Sequence, residues 1–165
     1  MKLRVIAVTG ILLFGFQPDS SASLSQPTVM ISQSASCNSQ QRLLLKTSQG
    51  LLYPSESDYP FEYFSSGQQT SLPSSQKFLQ LIGQQGQPIT QVNFNQFFGH
   101  LTTIQPWMDE QQRKDVLRYR LLKKTLEQTF TDLTVYRVGR TQIKIYITGI
   151  NSCGMSGLKT ISIET

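Results

Sequence analysis

The sequence predicts an α+β fold in which helices pack on a mainly antiparallel sheet. Three observations lead there. The last thirty or so residues alternate apolar and polar side chains in successive runs (Ile143, Ile145, Ile147, then Lys159, Ile161, Ile163), the period of a β-meander. A helix opens at Asp109, with Val116, Tyr119, Leu122, Leu126 and Phe130 recurring every three or four residues. The element order is helix, strands, helices, meander, without the regular β-α-β alternation of a parallel sheet. At 165 residues and 18.6 kDa the chain has room for one domain.

The first 22 residues read as a signal peptide. Lys2 and Arg4 precede the apolar run from Val5 to Phe16, and Ser20-Ser21-Ala22 offers a small-residue cleavage site. Twelve apolar residues are too few for a lasting transmembrane helix; a retained anchor is the alternative. The expectation is therefore an exported protein, periplasmic or extracellular, with no stable membrane association after cleavage. Removing Lys2, Arg4 and Asp19 leaves 13 basic and 9 acidic side chains, so the mature chain keeps a charge of +4. Cys37 and Cys153 both lie beyond the cleavage site, and an even pair in an exported chain reads as a disulfide. In the chain-entropy picture, closing so long a loop restricts the unfolded state by roughly 4 to 5 kcal/mol.

Residues 23–36 are rich in Ser, Gln and Thr and read as a flexible leader, so the folded domain is expected over 37–165. Asn38 or Ser39 caps a short helix through Lys46, with Leu43, Leu44 and Leu45 turned inward and Gly50 as its left-handed cap. Leu51-Leu52-Tyr53 is extended, and the two prolines of the 54–60 segment make it a loop. Residues 61–64 and 77–82 read as strands, and Asn93 to Leu101 as a short helix with Phe94, Phe97, Phe98 and Leu101 on one face. In the 109 helix, Arg113, Lys114, Arg118, Arg120, Lys123 and Lys124 form a basic face that reads as solvated, with phosphate contact as the alternative; no aromatic or Gly-rich element interleaves them to support a nucleic-acid platform. Gly139-Arg140 suits a two-residue type II′ turn. One face of the meander is expected buried and the other wet, and the strand register runs on to Thr165, which would fix a terminal carboxylate at the sheet end.

Enzymatic chemistry has little to draw on. His100 is the single histidine, so neither a zinc site nor a nucleophile-base pair is indicated. No metal site of its own and no cofactor are expected.

The string Gly50-Leu51-Leu52-Tyr53-Pro54-Ser55-Glu56-Ser57-Asp58-Tyr59-Pro60-Phe61-Glu62, followed by Phe97-Phe98, Trp107, Val135-Tyr136-Arg137-Val138-Gly139 and Ile163-Glu164-Thr165, resembles the nuclease A inhibitor-like family over most of residues 38–165. The resemblance implies an αβα sandwich of the PR-1-like kind. It also implies a non-enzymatic protein that plugs the active site of a magnesium-dependent, sugar-non-specific DNA/RNA endonuclease. It places Glu56, within Ser55-Glu56-Ser57 and beside Asp58, and Thr165 near the partner's Mg²⁺, with Trp107 as a further partner contact. The partner implied is a secreted or periplasmic nuclease, with no direct nucleic-acid binding. The chemistry agrees: magnesium takes hard oxygen ligands, so a plug needs carboxylates on a rigid frame. Between Lys46 and Lys77 the chain carries Glu56, Asp58 and Glu62 and no base. An exported binding module on this fold with a non-nuclease partner is the alternative.

Overall fold

The computed structural model describes residues 27–165, with side chains described from residue 33. The expected signal peptide, residues 1–22, lies outside the described residues, as do 23–26 of the expected leader. Four helices and seven strands follow in the order α1 (Pro27–Ser48), β1 (Leu52–Tyr53), β2 (Tyr59–Pro60), β3 (Glu62–Ser65), α2 (Ser75–Leu81), β4 (Ile89–Asn93), α3 (Phe94–Leu101), α4 (Glu110–Thr129), β5 (Thr131–Val138), β6 (Gln142–Asn151) and β7 (Gly154–Ile163). β1 and β2 form a two-stranded ribbon, and the main sheet runs β3-β7-β6-β5-β4, antiparallel at every step.

Both faces of the sheet are covered. On one, Leu44 of α1, the phenylalanines of α3 and Tyr119, Leu122 and Leu126 of α4 pack on Val135, Ile143, Ile145, Ile147 and Leu158. On the other, Phe78 and Leu79 of α2 pack on Tyr136, Val138, Tyr146, Ile150 and Met155. The alternation along β5 and β6 thus separates two cores, and the face expected to be wet is aromatic instead. Phe78 stacks on Tyr136 with centroids 4.0 Å apart, and the Tyr136 hydroxyl donates to the Pro73 carbonyl at 2.6 Å. Burying those rings is what a second core needs, and the hydroxyl keeps its hydrogen bond. The layered αβα arrangement implied by the resemblance is present.

Several local expectations need correction. α1 begins at Pro27 and so runs through part of the segment expected to be a leader. Of its three consecutive leucines only Leu44 is buried; Leu43 and Leu45 are exposed, because adjacent helical positions point about 100° apart. Residues 77–82 are helical, not extended. Ser74 caps that helix by accepting from the Lys77 amide, and Phe78 and Ile82 then share a face. β4 was not foreseen: it is a short, polar edge strand whose register against β5 pairs Gln91 with Tyr136. Val138 pairs with Lys144, so residues 139–143 separate the paired ends of β5 and β6 and no two-residue turn forms. On β7 every residue from Gly154 to Leu158 is buried, as are Thr160 and Ser162, while Lys159, Ile161 and Ile163 are half-buried.

The 109 helix matches its expectation. Asp109 accepts from the Gln112 amide at 2.8 Å while Gln112 Oε1 accepts from the Asp109 amide at 3.0 Å, a complete capping box. Three of its six bases pair with acids of the same helix: Lys114 with Glu110, Arg118 with Asp115 and Lys123 with Glu127. Cys37 and Cys153 are bonded, which ties α1 to the β6–β7 turn. Gln40 Nε2 donates to Ser156 and Asn151 Nδ2 to Gln40 Oε1 beside that staple.

Candidate functional site

The loop from Pro54 to Asp58 is held at both ends before its own residues contribute anything. At its start, the Tyr119 hydroxyl donates to the Leu52 carbonyl. Burial first, then the nearby charge of Asp115, pushes the Tyr119 phenol well above its ordinary value, so it stays a donor at any physiological pH. At its end, Thr160 Oγ1 donates to the Tyr59 carbonyl at 3.3 Å. Within the loop the Ser55 amide donates to Asp58 Oδ1 at 3.3 Å and Ser55 Oγ donates to the Ser57 carbonyl at 2.6 Å, local bonds that fix a turn without secondary structure.

The same loop is joined to the end of β7. Ile163 N donates to Ser55 Oγ at 3.2 Å, and the Glu56 amide donates to the Ile163 carbonyl at 3.4 Å. Glu56 Oε1 then accepts twice from Thr165, from its amide at 3.1 Å and from its hydroxyl at 2.5 Å. Two residues 109 positions apart, named together only through the resemblance, are therefore in direct contact. Both are exposed, and the second Glu56 oxygen takes no part in these bonds.

Glu164, between Ile163 and Thr165, turns the other way. Its amide donates to the Thr141 carbonyl at 2.9 Å, and its Oε1 accepts from Ser162 Oγ at 2.9 Å and pairs with the Arg137 guanidinium. Sequence reasoning missed this pair. Arg137 and Glu164 stand in two of the strings that carry the resemblance, but nothing in either string says that they meet.

Trp107 lies apart from the Glu56–Thr165 contact, on the tight connection between α3 and α4. Its side chain is 76% exposed. The Met108 amide donates to the Gln105 carbonyl at 3.2 Å, and Arg113 Nε donates to the Met108 carbonyl at 3.0 Å, so the turn that presents the indole is pinned from both sides. Trp107 lines a groove of about 540 Å³ together with Leu52, Asp58, His100, Asp115 and Tyr119. His100 is exposed at its rim. Asp58 therefore belongs to two neighbourhoods: its carboxylate caps the Ser55 amide, and its side chain borders the tryptophan groove. Glu62, grouped with Glu56 and Asp58 by sequence, sits instead on β3 and pairs with Lys159 at 3.1 Å. The acidic patch is narrower than its charge count.

The sequence profile of the Nuclease A inhibitor-like proteins (NuiA) matches residues 38–165. The chain belongs to that family. Membership carries nuclease inhibition as its general function and a nuclease as its general class of partner. No curated protein matches the chain. In this NuiA-like domain, the matched span starts one residue after Cys37, so the staple lies at its boundary on one side and within its last hairpin on the other.

Proposed function

We propose that this NuiA-like protein is an exported, stoichiometric inhibitor that blocks the active site of a magnesium-dependent, sugar-non-specific DNA/RNA endonuclease. The observation that carries the reading is the hydrogen-bonded Glu56–Thr165 pair: hard oxygen atoms from both ends of the domain, exposed and held by a braced loop and a strand end. A nuclease centre holds phosphate oxygens beside Mg²⁺, and magnesium keeps a strict coordination geometry with several waters. A rigid carboxylate and hydroxyl meet that requirement without a large ordering cost at binding. Ser55 and Ser57 shape the loop, Asp58 stands on its flank, and the exposed Trp107 is a second anchor, since aromatic side chains dominate interface energetics when a partner covers them.

Export is supported by the basic-apolar-small layout of residues 1–22 and by the Cys37–Cys153 disulfide, a bond typical of oxidising compartments. The test is an inhibition titration of the mature domain against the secreted, magnesium-dependent nucleases of its own host. Loss of DNA digestion at a ratio near one to one, with no digestion by the inhibitor alone, supports the reading. Undiminished digestion at tenfold excess refutes it, and a pull-down of extracellular proteins then identifies a non-nuclease partner for this fold.

A further inference from the structure

We propose that Arg137 is a positioning residue for the inhibitory pair: acting through Glu164, it fixes the Glu164-Thr165 segment so that Thr165 meets Glu56. The consequence for inhibition rests on the reading above; the positioning itself does not.

β7 ends at Ile163, and beyond it the backbone adds one cross-strand bond, from the Glu164 amide to the Thr141 carbonyl at 2.9 Å. That bond holds the Glu164 amide but neither its carboxylate nor Thr165, whose order has to come from side chains. The bonds at Glu164 alternate with those at Thr165: the Glu164 carboxylate reaches Arg137 and Ser162 on one side, while the Thr165 amide and hydroxyl reach Glu56 on the other. If Glu164 swings away, the backbone torsions that aim Thr165 at Glu56 go with it, because consecutive side chains of an extended segment point to opposite sides.

Arg137 is well placed to serve as the fixed end of this arrangement. It sits on β5, which is paired on both edges, to Thr90 of β4 and to Ile145 of β6. Its side chain is 24% exposed, against 44% for Glu164. Within its hydrogen-bonding and charge range lies Tyr53, which is buried and stacked on Phe97 with centroids 5.6 Å apart. The planar guanidinium also holds a carboxylate in one orientation better than an ammonium does. As a partly exposed ion pair it adds little to global stability. Its effect is therefore expected in the order of the segment and in binding, not in the melt.

The experiment uses the mature protein with Arg137→Gln, Arg137→Lys and Glu164→Gln. Amide hydrogen exchange of Glu164 and Thr165 is read in the free protein, beside Ile145 and Leu158 as core references. Arg137→Gln and Glu164→Gln should each speed exchange at Glu164 and Thr165 at least tenfold with the core amides and melting temperature unchanged, while Arg137→Lys retains much of the protection. Inhibition of a nuclease that the wild type blocks should fall at least tenfold in both glutamine variants, and their combination should be no worse than either, since both break one link. Unchanged exchange at Thr165 in both glutamine variants overturns the proposal. Faster exchange with full inhibition overturns the link to function. A wild type that blocks no nuclease refutes the proposed function, while the exchange data still decide whether Arg137 holds the segment.

Discussion

Glu56 Oε1 accepts two hydrogen bonds from Thr165, one from its amide and one from its hydroxyl, so a loop that follows β1 and the residue two beyond β7 form one local unit. Glu56→Gln places an amide where the carboxylate was and removes the charge that the proposed interface turns to the nuclease. Inhibition should weaken by roughly 2 to 5 kcal/mol, the usual loss when one side of a buried charged contact is removed at an interface. Asp58→Asn should mainly slow association, as a rim charge does. A nuclease titration with association and dissociation rates measured separately distinguishes them, and equal sub-kcal effects would demote the loop to a solvated turn.

Trp107→Ala should leave folding nearly untouched, because the ring already faces solvent, yet reduce binding by about 2 kcal/mol or more if a partner covers it. Thermal melts and inhibition titrations on the two proteins side by side check this; equal inhibition removes Trp107 from the interface.

Breaking the staple should cost stability broadly. The Cys37→Ala/Cys153→Ala double variant is expected to lose roughly 2 to 5 kcal/mol of unfolding free energy, read from urea midpoints at unchanged slope. Titration of denatured native material should find no free thiol.

Acidification should loosen the end of β7 before the sheet. Burial works to raise the Glu164 carboxyl, but hydrogen bonds from Ser162 and Arg137 and the Arg137 charge outweigh it and hold it below the ordinary carboxylate range. A depressed folded-state value means the contribution is present above the unfolded-state value and is lost as pH falls through the folded one. Thr165 amide protection should stay level from neutral into mildly acidic pH and decline only as the pH falls through the lowered Glu164 value. Glu164→Gln should abolish that dependence; a decline that persists in this variant assigns it to another group.

Gly149→Ala should destabilise the fold by about 1 to 3 kcal/mol through overpacking. An added Cβ would stand 2.4 Å from Phe130 Cβ and 2.9 Å from Leu133 Cδ2, at the point where α4 hands over to β5. A urea midpoint equal to wild type would show that this junction yields.

The parts of the fold that sequence revealed are those in which local signals agree. For α4, the Asp109 cap, the acidic first turn and the three-four spacing all coincide, and the helix begins where they say. Residues 77–82 offer only two apolar pairs, which suit either period; the deciding signal is the cap, Ser74 after Pro73. β4 is polar and short, and only its partners on β5 make it a strand. Alternation on β6 was legible, but not that Tyr136, Tyr146 and Phe78 would bury the second face, because aromatic residues at polar-looking positions serve either surface. At the candidate site, Glu56, Thr165 and Trp107 were reached through resemblance. No local pattern joins positions 56 and 165, and Arg137 with Glu164 was missed for the same reason: cross-strand and loop-to-strand contacts depend on register, which the string of residues does not carry.

The disulfide has a consequence for survival among proteases. Its two sulfurs enclose every residue from 38 to 152, and Glu56 lies inside that circle while Thr165 lies outside it. A single backbone cut anywhere in the enclosed stretch, including the exposed loop at Glu56–Asp58, leaves the two fragments joined as one molecule. The halves of the proposed plug then cannot diffuse apart, so a nicked chain keeps its parts at high effective concentration until a reductant or a second cut releases them.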